Sequence, residues 1–98
     1  MSPFNTPSIE RLFAAFLQLK NTEECRQFLE DICTIKEVQD MSQRLEAAIL
    51  LDQGVGYQAI SDQVGISAAT ISRVSKCLNY GAGGYRQIID RLKEEGLL

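Results

Sequence analysis

The stretch YQAISDQVGISAATISRVSK, residues 57–76, admits few folds. Ile60 and Val64 lie four apart before Gly65, and Ile71, Val74 and Leu78 lie three and four apart after it. That spacing predicts two short helices, over about 57–64 and 68–79, rather than strands. Gly65 can take the left-handed conformation that a sharp turn needs, Ile66 plugs the corner, and Ser67 is a natural N-cap for the second helix. Ser61 is small where two steeply crossing helices would leave little room. Two helices joined by a tight glycine turn make a helix-turn-helix.

The flanking sequence keeps the same period. Thr6 followed by Pro7 opens a helix whose stripe is Ile9, Leu12, Phe13, Phe16 and Leu17. Asn21 with Glu24 resembles a capping box before Cys25, Phe28, Leu29 and Ile32, and Thr34 with Glu37 repeats the signal before Val38, Met41, Leu45, Ala48 and Ile49. Gly54 is the expected C-terminal glycine of that third helix. A glycine-rich break, YGAGGY at residues 80–85, precedes a last amphipathic helix carrying Tyr85, Ile88, Ile89 and Leu92. The expected fold class is all-α, about six helices in a single domain over residues 1–98. Within it, residues 1–53 would serve dimerisation, 54–79 form a helix-turn-helix reading head, and 80–98 supply the glycine loop and C-terminal helix. AAILL, residues 47–51, is apolar around more than one face, so it is expected to be covered on several sides, with help from a second subunit. A chain of 98 residues buries only about 60–65% of its unfolded surface, which points the same way.

The formal net charge of −3 argues, taken alone, against a nucleic-acid partner. Its distribution argues otherwise. Residues 1–53 hold five basic and nine acidic side chains, whereas residues 54–93 hold Arg73, Lys76, Arg86, Arg91 and Lys93 against Asp62 and Asp90. A basic patch can act locally while an acidic remainder keeps the protein soluble. In a helix-turn-helix the N-terminal part of the second helix approaches the base edges of the major groove, which is only about 12 Å wide. Small side chains at Ser67, Ala68 and Ala69 would let the backbone come close, and the alanine methyls could meet a thymine methyl. Thr70 and Ser72 can hydrogen-bond, Arg73 and Lys76 would reach phosphates or a guanine, and Gln58 is placed for backbone contact. The expected partner is double-stranded DNA.

Other chemistries find less support. There is no histidine, and Cys25, Cys33 and Cys77 are odd in number and widely spaced, so neither a structural metal site nor a disulfide framework is expected. The cysteines read as small core residues. YGAGGY is neither a P-loop nor a dinucleotide fingerprint, and no enzyme activity is expected. The first ten residues contain no signal-peptide pattern, and no window holds about 18 apolar residues, so the expectation is a cytoplasmic protein without membrane contact.

The residues TIKEVQDMSQRLEAAILLDQG, ISAATISR and YRQIIDRL together resemble the Trp repressor family, within its YerC/YecD-like branch, over residues 34–92. The resemblance implies an intertwined all-α homodimer, and a transcriptional regulator, a repressor, that reads half-sites about one DNA turn apart. It also implies a pocket for an amino-acid-like effector between reading head and core, with Arg44 and Arg73 holding the ligand and Thr34 touching it from the partner chain. Val74 stands where that family has a glycine that accepts an aromatic plane, and Cys77 replaces a serine that holds the ligand's amino group. Tight tryptophan binding is therefore not expected, and Val74 is expected to fill the pocket itself. The competing reading is a helix-turn-helix protein-interaction module without its own operator, which the acidic sequence pI of about 4.9 would suit.

Overall fold

The computed structural model describes residues 3–98. Among them the chain forms six helices and no strand: α1 (Pro7–Phe16), α2 (Thr22–Ile32), α3 (Ile35–Asp52), α4 (Tyr57–Val64), α5 (Ala68–Tyr80) and α6 (Gly84–Glu94). They fall into two units, one ending at Ile35 and one from Lys36 to Leu98.

In the first unit the caps follow from side-chain chemistry. Thr6 Oγ1 accepts the Ile9 N–H at 3.2 Å, and Pro7, which has no N–H to orphan, takes the first helical position. Asn21 Oδ1 accepts the Glu24 N–H at 2.9 Å, whereas the Glu24 carboxylate reaches back to the Lys20 N–H, one residue further than a capping box requires. Phe16 and Phe28 meet edge to face with centroids 5.5 Å apart, which joins α1 to α2. Yet no residue of α1 or α2 is buried. Phe13, Phe16, Leu17 and Ile32 remain exposed, Leu17 by 83%.

The second unit has a core. Ala47, Ala48 and Ile49 of α3, Ile60 of α4, Ile71, Val74 and Leu78 of α5, and Ile89 of α6 are buried together. The expectation for AAILL is thus met in part from within the chain. Its first three residues are covered without a second subunit, because two alanines let neighbouring side chains approach α3 closely, while Leu50 and Leu51 stay only partly buried. α3 ends in paired bonds, Val55 N–H to Leu50 C=O and Gly54 N–H to Leu51 C=O, both at 3.0 Å, which satisfy its last carbonyls. A second link is electrostatic. Asp52, the last residue of α3, accepts from Arg86 at 2.6 Å and from Lys93 at 2.5 Å, both on α6.

Candidate nucleic-acid interface

The turn between α4 and α5 is built by three residues. Gly65 has φ +80°, a conformation that a residue with a Cβ adopts only at a cost of about 1–2 kcal/mol, and its N–H bonds Ser61 C=O at 2.9 Å. Ser61 Oγ donates to the Ile66 carbonyl at 2.8 Å. Ile66 itself is half-buried against the core, as its expected role as a plug requires. From α3, Gln43 Nε2 reaches the Val64 carbonyl at 3.5 Å, at the end of α4.

α5 then has two faces. Ile71, Val74 and Leu78 point inward and are buried. Ala68, Ala69, Ser72, Arg73 and Lys76 are exposed on the other side, where the helical period places them. Ser67 caps the helix: its Oγ accepts the Thr70 N–H at 3.2 Å and lies 3.1 Å from Thr70 Oγ1. These two hydroxyls are therefore engaged with each other, and Thr70 is half-buried. Gln58 is exposed on α4, with Nε2 on Asp62 Oδ1 at 3.1 Å.

The charge distribution differs from what the segment sum suggests. Of the five cations in residues 54–93, Arg86 and Lys93 are bound to Asp52, and Arg86 is also 3.7 Å from Asp90. Arg73 and Lys76 enter no ion pair among the described residues. Pairing over such sequence distance leaves no local signal, which is why the chain alone did not reveal it.

Beneath α5 lies a cavity of about 490 Å³, walled by α3, the turn, α5 and α6. Arg44, Arg73, Val74 and Cys77 line it together, four of the five residues expected in a ligand pocket. Thr34 stands exposed just before α3; the role expected of it is in the partner chain's pocket. Val74 is buried among core residues and forms part of the wall, but it does not fill the space, because its side chain is directed into the core with Ile71 and Leu78. The Lys36–Asp40 pair, at 2.7 Å, lies at the same wall, whereas neither Arg44 nor Arg73 has an ion-pair partner among the described residues. Tyr85 also lines the cavity. Burial, foremost, and then the nearby Cys77 thiol push its hydroxyl pKa up, with Arg44 opposing. Its sequence signal, one apolar position on an amphipathic helix, did not distinguish it from a core residue.

The family model described as Trp repressor protein matches residues 7–93. The uncharacterized protein YerC of Bacillus subtilis is 49% identical over 86 residues, 88% of this chain and 83% of that one. A crystallised TrpR-like protein from Eubacterium eligens superposes with a TM-score of 0.89 at 44% identity, covering 92% of this chain and 93% of its own.

Proposed function

This chain belongs to the Trp repressor protein family, and we propose from that footing that it is a homodimeric, sequence-specific DNA-binding regulator of transcription, a repressor, acting in the cytoplasm. The observation that carries the reading is the outward face of α5. It is narrow at its start, with Ala68 and Ala69 exposed beside the Ser67 cap, and positive further along at Arg73 and Lys76. A rod so shaped can enter a groove about 12 Å wide with its backbone close to the base edges. Alanine methyls and Ser72 then offer base contacts, Gln58 and the α5 cations offer phosphate contacts, and Ser67 and Thr70 present the start of the helix.

Dimerisation is supported by the first unit. Two amphipathic helices without a single buried residue, and with Phe13, Phe16, Leu17 and Ile32 exposed, form an apolar surface of the kind that subunit interfaces cover. A homodimer would carry two reading heads for half-sites roughly 34–36 Å apart. The cavity under α5, whose Arg44 and Arg73 enter no ion pair among the described residues, suits an anionic effector, but Val74 and Cys77 argue against tryptophan held tightly.

Selection of bound duplexes from a random-sequence pool, with sedimentation equilibrium on the same protein, tests the reading. The expected result is an enriched inverted repeat and a dimer. A monomer that enriches no sequence would return the chain to the protein-interaction reading.

A further inference from the structure

We infer that Asp52 divides the positive charge of the chain's second half: it holds Arg86 and Lys93 in an internal clamp and leaves the grip on a phosphate backbone to the cations outside it, Arg73 and Lys76 of α5 first. This rests on the DNA-binding reading and specifies which side chains serve it. Asp52 is the last residue of α3, whose final turn contains no basic residue. A carboxylate there meets the negative end of the helix dipole, so nothing local favours it. Its partners come from 34 and 41 residues away. Arg86 Nη1 donates to Oδ1 at 2.6 Å and Lys93 Nζ to Oδ2 at 2.5 Å. The two cations are separated by two turns of α6 and so share one face of it.

Both carboxylate oxygens are occupied, and only 11% of the Asp52 side chain is exposed. The Lys93 bond first, and the Arg86 bond second, hold its pKa below the usual carboxylate value. A DNA phosphate would have to draw either cation away from a fixed, largely dehydrated anion. Among the described residues Arg73 and Lys76 enter no ion pair, and both are exposed: Lys76 on the face of α5 that carries Ala69 and Ser72, Arg73 between that face and the rim of the cavity. The clamp also links α6 to α3, beside the apolar core that the two helices share.

The test is the salt dependence of binding to a labelled mixed-sequence duplex, followed by fluorescence anisotropy with the full chain. Arg73→Gln and Lys76→Gln are each expected to lower the slope of log affinity against log salt by about 0.9. Arg86→Gln and Lys93→Gln are expected to keep the wild-type slope, provided circular dichroism shows the helices intact. The triple variant Asp52→Asn, Arg86→Gln, Lys93→Gln removes the clamp without stranding a buried charge, and it too should keep that slope. A slope reduced as in Lys76→Gln, in either single variant or in the triple, overturns the inference. Should the wild type bind no duplex at any salt, the DNA-binding reading fails instead. The clamp is then judged by thermal unfolding of Asp52→Asn, Lys93→Gln and their double variant, where strongly non-additive losses are expected and additive ones refute it.

Discussion

Ser61, half-buried on α4, donates its hydroxyl hydrogen to the main-chain carbonyl of Ile66 at 2.8 Å, across the turn that joins α4 to α5. The bond gives Ser61 a purpose beyond being small. It ties the residue before α5's cap to the body of α4, so the angle at which α5 leaves the turn is held by a side chain as well as by packing.

Ser61→Ala separates the two roles. If size alone mattered, alanine would be neutral. Loss of the hydrogen bond should instead cost about 1 kcal/mol, read as a fall in melting temperature of roughly 4–8 °C, with weaker duplex binding. An unchanged melting temperature would leave Ser61 as a space-saver only.

Two glycines are needed for different reasons, and alanine distinguishes them. At Gly65 no atom lies within 4 Å of where a Cβ would stand, so Gly65→Ala should cost only the backbone strain of φ +80°, about 1–2 kcal/mol, and Gly65→Asn should cost less. At Gly81 the φ is ordinary, but a Cβ would overlap the Cys77 carbonyl oxygen, to which the Gly81 N–H is bonded at 2.9 Å. Gly81→Ala is therefore expected to destabilise more, and asparagine to give no relief there. Chemical denaturation of the four variants checks the order.

Ala69 is exposed, so Ala69→Glu should leave stability within about 0.5 kcal/mol of wild type. On the proposed groove-facing side of α5, however, it adds bulk and a negative charge. Duplex affinity is expected to fall by about tenfold or more, worth about 1.4 kcal/mol. An anisotropy titration showing wild-type affinity would move the DNA contact away from this face.

The cavity makes a further prediction. Val74 and Cys77 line the cavity where the resemblance implies a glycine and a serine, and a thiol is a poorer hydrogen-bonding group than a hydroxyl. Isothermal titration with L-tryptophan should show no micromolar binding. The Val74→Gly, Cys77→Ser double variant should gain heat in the same titration, although Val74→Gly also removes a buried side chain and will lower stability. Micromolar binding by the wild type would refute this.

Asp52 predicts a pH dependence with a definite sign. Its folded-state pKa lies below the ordinary value of 3.8, so the unfolded chain takes up its proton first as pH falls. The stability it contributes is complete above the unfolded value and is lost as pH drops through the depressed folded one. Wild-type stability should decline in that acidic window, and Asp52→Asn, already less stable at neutral pH, should decline less. Parallel acid-unfolding curves would show that other carboxylates dominate.

The helices and several of their caps were legible in the chain because they depend on neighbours in sequence. Thr6, Asn21 and Ser67 cap the helices they precede through bonds to residues three positions on, and Gly65 turns where it stands. The inward stripe of α5 likewise follows from its period, and the outward face that carries the proposed function is its complement. Pairings between distant positions were not legible. Asp52 draws Arg86 and Lys93 across 34 and 41 residues, Gln43 reaches Val64 across 21, and Tyr85 becomes a cavity wall. The chain by itself therefore fixed how many helices form, where those with a side-chain cap open and which side of each is apolar, since a 3.6-residue period and a local cap act over one or two turns. Only the tertiary structure decided which charges are free and which space is left open. Both depend on side chains brought together by packing, and a formal charge counted along the chain is blind to the partner that neutralises it.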